Sequence, residues 1–185
     1  MMKTCLIVID AQESFRQRPY FTERDVPAYL AAQNALIEGC VTRCIPIVRI
    51  YHVDGPKEAS NAFAMESGFI QPFKGLADFN AEASFHKSRH SALIGTELDV
   101  WLTQNGIDKI IISGIRTEQC CETTTRHASD LGWKVDYVLD ATLTFDMTQP
   151  DGSPLNAHDI KARTATVLQG RFANIVTVEQ VLQTA

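Results

Sequence analysis

The sequence predicts an α/β protein: a doubly wound, six-stranded parallel sheet in the order 3-2-1-4-5-6, with helices on both faces. Short β-branched apolar runs alternate along the chain with stretches of helical spacing, the pattern of strand–helix–strand units. The runs TCLIVI (residues 4–9) and III (residues 110–112) lack polar alternation, as strands buried on both faces do. Right-handed crossovers between six such strands give this strand order. In it, strands 1 and 4 are neighbours and the winding reverses between them. Ligands bind in the crevice beyond the carboxyl ends of the strands at such a point.

The elements follow in order. The first strand ends in Asp10, at its carboxyl edge. After a polar segment, residues 26–43 carry helical spacing through Leu30, Ile37 and Val41. Residues 45–51 (IPIVRIY) form the second strand, with Pro46 tolerable only near its beginning. Residues 52–80 hold Gly55-Pro56, Gly68, Pro72 and Gly75 and no periodicity, and a loop of that length reads as a lid or interface arm. Residues 83–86 form a short strand leading to Lys87, and residues 96–105 a helix closed by Gly106. The fourth strand, at residues 110–112, breaks at Ser113-Gly114. Thr117 then serves as N-cap of a helix that ends near Leu131-Gly132. Residues 134–139 form a strand ending in Asp140-Ala141, residues 157–169 a helix, and residues 173–178 a last strand before a short tail.

A length of 185 residues suits one domain with a sizeable core, so residues 1–185 are read as a single unit. The net charge of −5 and the absence of a basic cluster give no support to nucleic-acid or membrane binding. No 18-residue apolar segment exists, and the N-terminal apolar run is short for a signal peptide. Five cysteines, an odd number without framework spacing, point to reduced thiols and a cytoplasmic location. Cys40 and Cys44, four apart on a predicted helix, read as packing residues without further metal ligands near them.

One cysteine carries chemistry. With Thr117 as cap, Cys120 is the third helical residue, at the positive end of the helix dipole and among amides without a helical partner. A thiol there has a reason to ionise and to attack carbonyls. Strand order brings Asp10 to the same crevice.

Three motifs, in order, resemble those of the isochorismatase-like cysteine hydrolases, a family that includes nicotinamidases, carbamoylsarcosine amidohydrolases and ureidoacrylate amidohydrolases. Asp10-Ala-Gln12-Glu-Ser-Phe15 is similar to the family's Asp-x-Gln-x-x-Phe at a strand end. The stretch from Lys87 through Ser91-Ala92-Leu93 and Thr96 to Leu98 is similar to Lys-x-x-x-Ser-Ala-Phe-x-x-Thr-x-Leu, with Leu93 replacing the aromatic. Gly114 to Thr124 is similar to Gly-x-x-Thr-x-x-Cys-Val-x-x-Thr, with Cys121 in the valine position. The resemblance implies a triad of Asp10 as general base then acid, Lys87 as neighbouring cation and Cys120 as nucleophile. It also implies a cis peptide at Ile115–Arg116 and an oxyanion hole made by the N–H groups of Arg116 and Cys120. Under that arrangement Thr117 caps Gln119 or braces the loop, leaving the Cys120 amide free.

Gln12, Phe15, Tyr51, His52 and Arg116 are the candidate pocket residues. Arg116 faces either a substrate carboxylate or a neighbouring subunit, and Leu93 widens the pocket. The Asp-x-His and later His that hold metal in the family's nicotinamidases are missing from Arg49-Ile-Tyr51-His52-Val-Asp54. No metal and no cofactor is therefore expected, and nicotinamidase activity in particular is disfavoured. His86, His90, His127 and His158 have no assigned role. The expected function is hydrolysis of a C–N bond in a small amide or carbamoyl compound through a thioester-type intermediate on Cys120. The rivals are vinyl ether hydrolysis of the isochorismatase type, and a non-catalytic thiol sensor. The resemblance implies a homo-oligomer, with a small-molecule substrate and neither nucleic acid nor membrane as partner.

Overall fold

A computed structural model of the chain describes residues 2–184. Its six-stranded sheet is parallel throughout and has the order β3-β2-β1-β4-β5-β8. The strands are β1 (Thr4–Ile9), β2 (Ile47–His52), β3 (Ala83–Lys87), β4 (Lys109–Ile115), β5 (Lys134–Leu143) and β8 (Asn174–Val176). A small antiparallel hairpin, β6 (Met147–Thr148) with β7 (Pro154–Leu155), stands apart from the sheet. It explains why the sixth sheet strand is the eighth in sequence.

Side chains alternate across the sheet, and the two faces bury separate clusters. Cys5, Ile7 and Ile9 of β1, with Ile110 and Ile112 of β4, pack under α2 (Leu98–Gln104), α3 (Glu122–Asp130) and α4 (Ala157–Leu168). Leu6, Val8 and Ile111 point the other way, against Leu36, Ile37 and Cys40 of α1 (Val26–Thr42) and Val181 of α5 (Val178–Thr184). Each fully buried aliphatic side chain contributes about 1.5–3 kcal/mol, so these central strands hold the sheet. Pro27 sits in the first turn of α1, where no amide is needed, and the Asn156 side chain accepts the Asp159 N–H at 2.9 Å to cap α4.

Some boundaries differ from expectation. β2 starts after Pro46, which cannot donate to the ladder. β5 runs four residues past Leu139: its residues 138–141 bulge opposite Ser113 of β4, and pairing resumes at Thr142 and Leu143. The tail expected after the last strand is α5, whose Val178 and Val181 complete the second core. Helix α1 ends at Thr42, so Cys44 is exposed in a left-handed turn (φ 55°) while Cys40 is buried; only Cys40 packs as expected.

Residues 53–82 divide in two. The second part is core: Phe73 is buried, its N–H donates to the Ala11 carbonyl at 2.9 Å, and Asn34 of α1 bonds Gly75 and Ala77. The first part, residues 54–63, borders a cavity at the carboxyl ends of the strands. Among the described residues no helix is long and apolar enough to cross a membrane.

Candidate active site

Sheet register sets the site. Ile9 of β1 lies level with Ile50 of β2 and Gly114 of β4, and His52 lies level with Lys87 of β3. Asp10, the next residue after β1, takes a left-handed conformation (φ 49°), which aspartate tolerates better than most residues. Beside it, Gly114 has φ 127°, and a Cβ there would stand 1.9 Å from the Ile9 carbonyl oxygen. Only glycine lets β4 pass that close to the strand that carries Asp10.

After β4 the chain passes a cis peptide at Ile115–Arg116 and makes a single π-helical turn, Thr117–Cys121, before α3 begins. The expected helix thus starts later, and Thr117 does not cap it. Its hydroxyl bonds the Thr142 hydroxyl at 2.8 Å and its carbonyl accepts the Tyr137 hydroxyl at 2.7 Å, which brace the turn against β5. Turns of this kind recur at functional sites because they re-aim one side chain. Here the N–H groups of Gln119 and Cys121 donate to the Arg116 carbonyl, both at 3.2 Å, while Cys120 turns its sulfur to the strand ends.

There three side chains meet, all buried: Asp10 is 0%, Lys87 1% and Cys120 5% exposed. The Lys87 Nζ lies 2.7 Å from Asp10 Oδ2, 3.2 Å from Cys120 Sγ and 2.8 Å from His52 Nδ1. An ammonium has three hydrogens and no lone pair, so Lys87 donates to the Cys120 sulfur and to His52 Nδ1, and holds Asp10 as an ion pair. Neither Asp10 oxygen has a hydrogen-bond partner among the described residues; Oδ2 has the Lys87 ion pair and Oδ1 has none. Asp10, His52 and Cys120 also form the one cluster of potential metal ligands among the described residues. The Lys87 ammonium contacts each of those three side chains, and a metal ion placed among them would meet that charge.

The electrostatics change one expectation. Burial, then the charge of Asp10, push the Cys120 thiol up, and the pull of Lys87 does not offset them. Burial thus opposes the ionisation that a position at a helix start favours. Burial alone would lower Lys87, but its contacts with Asp10 and Cys120 hold it above its usual value. Burial, then Lys87, lowers His52, which stays neutral. The arrangement sets the thiol, the Asp10 carboxyl group and the Lys87 amine in one buried cluster, placed for proton transfer at the moment of attack.

Asp10 and Cys120 open onto a cavity of about 320 Å³. Of the expected pocket residues, Phe15 and His52 line it and the others do not. The Gln12 side chain is spent on backbone: it accepts the His52 N–H at 2.7 Å and donates to the His52 carbonyl at 3.0 Å, fixing that residue. Tyr51 is buried and stacks on His86. Arg116, 7% exposed, is not among the residues that line the cavity; it pairs with Glu118 at 3.0 Å and lies 4.8 Å over the Tyr20 ring. Leu93 sits in the core instead of widening the pocket. Sequence reasoning missed Arg18, Tyr20, Asn61, Phe63 and His90, which line the cavity. His90 Nδ1 is 3.7 Å from Cys120 Sγ, its loop held by a Ser91–His127 bond of 2.9 Å and by the Ala92 N–H on Thr124 at 3.0 Å. The motif spacing from Lys87 to Ser91 would have pointed to it. A larger groove of about 630 Å³, bordered by Lys3, Phe79 and Trp101, lies at the amino ends of the strands and carries no comparable cluster.

The isochorismatase domain model matches residues 4–179. An uncharacterized isochorismatase family protein of Bacillus subtilis is 26% identical over 97% of this chain and 95% of its own length. Nicotinamidase 3 of Arabidopsis thaliana is 32% identical over 49% of this chain and 46% of its own. Among solved structures, a cysteine hydrolase from Pseudomonas syringae superposes with a TM-score of 0.86 at 21% identity, covering 98% of this chain and 91% of that one. N-carbamoylsarcosine amidase from Thermoplasma acidophilum gives 0.73 at 19%, covering 96% and 98%. With the sheet order, the buried aspartate–lysine–cysteine cluster and this match along nearly its whole length, the chain belongs to the isochorismatase domain family and is a hydrolase of that family.

Proposed function

We propose that the protein is a cysteine hydrolase cleaving a C–N bond of a small amide or carbamoyl compound. Asp10 takes the Cys120 proton through its free oxygen as the sulfur attacks the substrate carbonyl, and the backbone N–H groups of Arg116 and Cys120 receive the oxyanion. Asp10 then delivers the proton to the leaving amine as the C–N bond breaks, which leaves a thioester or thiocarbamate on Cys120. Water, losing its proton to Asp10, attacks that intermediate; the C–S bond breaks and the thiol regains its proton. Lys87 keeps a positive charge against both partners throughout, stabilising the anionic forms between which the proton moves. No cofactor enters the scheme.

The observation that carries this reading is the Lys87 ammonium bonded at once to Asp10 and to the Cys120 sulfur, beside a cavity of small-molecule size. The nicotinamidase relative supports an amide as substrate. One observation favours vinyl ether hydrolysis instead: the thiol is pushed up, and ether cleavage by acid catalysis from Asp10 needs no thiolate. Cys120→Ala separates the two on a panel of primary amides, carbamoyl compounds and vinyl ethers. Loss of amide turnover by more than about 10³-fold is expected; full retention would leave Asp10 chemistry alone. A homo-oligomer that closes the cavity with residues 52–80 is part of the proposal, tested by light scattering.

A further inference from the structure

Around the cavity the cations differ in whether a carboxylate holds them, and one of them is free of any. Asp10 has Lys87, Arg116 has Glu118, and Asp54 accepts the Gly55 N–H at 2.7 Å and stands 3.8 Å from His52. Arg18 lines the same cavity as Asp10 and Cys120, is exposed, and has no carboxylate partner among the described residues. Its guanidinium meets only rings, at 5.8 Å from Tyr20 and 5.8 Å from Phe63. Ring faces steady a guanidinium without using its five donors.

The backbone beneath it is fixed. The Arg18 N–H donates to the Phe15 carbonyl at 3.1 Å, the Phe21 N–H donates to the Arg18 carbonyl at 3.0 Å, and Pro19 locks the next residue. Phe63 is itself set edge-on against Phe15 and His52. A cation with free donors is thus placed on the wall of the cavity that holds the sulfur, between flat apolar surfaces. Asp10 is held by Lys87, and Asp54 accepts the Gly55 N–H, so Arg18 is the cation on that wall whose donors are left for an anion.

We infer that Arg18 is the specificity-determining residue of this site, and that the substrate is a small amide bearing a carboxylate away from the bond that is cut. The inference rests on the amide-hydrolase reading. The guanidinium fork takes a carboxylate through two parallel bonds, and the aromatic walls flank the body between carboxylate and amide.

The test uses the full chain and matched pairs: malonamate, succinamate and glutaramate against their neutral diamides. One readout, independent of turnover, is protection of Cys120 from iodoacetamide, followed by peptide mass so that exposed Cys44 is scored separately. At least one monoacid is expected to protect at roughly tenfold lower concentration than its diamide. Arg18→Gln should weaken that protection ~10- to 100-fold and leave the diamide unchanged, with Arg18→Lys in between. Equal protection by acid and diamide, no protection by any acid, or equal weakening of both by Arg18→Gln overturns the inference. The second readout is kcat/KM for amide release. Arg18-dependent protection with no cleavage of any amide defeats the amide-hydrolase reading but keeps the anion site. Cleavage of diamides with no advantage for acids does the reverse.

Discussion

Replacing Lys87 by methionine leaves a buried carboxylate without its cation, and replacing Asp10 by asparagine leaves a buried ammonium without its anion. Either change should cost about 3–5 kcal/mol of stability, because the remaining charge has lost its partner away from water. The double variant Asp10→Asn with Lys87→Met removes both charges, so most of that stability should return while amide turnover stays abolished. Urea unfolding beside an activity assay checks this, and recovery of turnover with stability would show the pair to be only structural. At this scale the sequence showed residue types better than directions. Asp10, Lys87 and Cys120 were legible because motif and strand order both put them at one edge. The direction of Arg116 was not, since nothing in Ile115-Arg116-Thr117 says that Glu118 captures the guanidinium. The electrostatics of Cys120 were only half legible for a related reason: dipole position is visible in sequence, whereas burial against Asp10 is not.

At the scale of elements, the site depends on how closely β4 approaches β1. A methyl group at Gly114 would collide with the Ile9 backbone and also require a conformation with positive φ. Gly114→Ala should therefore destabilise by roughly 3 kcal/mol or more, since backbone cannot yield as a side chain does. It should also lower kcat by moving Asp10. A thermal unfolding curve superimposable on wild type would contradict that packing. The sequence revealed all six sheet strands within two residues at their starts, most of them through their apolar runs. It concealed the carboxyl end of β5, whose Asp140 and Thr142 look like loop, and the π turn, whose Thr117 resembles an N-cap but serves as a brace.

For the molecule as a whole, the buried thiols set an alkaline limit. Burial raises Cys5 and Cys40 from 9.0 to about 12. Below pH 9 these groups are protonated in both folded and unfolded chains and leave stability unchanged. Above it the unfolded chain loses the protons first, so stability should fall by about 1.4 kcal/mol per pH unit for each thiol until the folded values are reached. Melting temperatures measured from pH 8 to 11 should decline from pH 9, less steeply in Cys40→Ala; a flat profile would contradict the burial of these groups. The fold was legible at this scale because strand alternation fixes a doubly wound sheet almost uniquely. The cavity wall was not, because Arg18, Asn61 and Phe63 come from segments without periodicity that meet only when the chain is folded.

The central claim is that the sulfur of Cys120 forms a bond to the substrate carbonyl carbon while Asp10 carries its proton. Acid-quenched intact mass during turnover of a monoamide tests it most directly. A transient mass increase equal to the acyl group, confined to the Cys120 peptide and missing from Cys120→Ala, is the predicted result. Steady turnover with no adduct at any quench time, undiminished in Cys120→Ala, would contradict it.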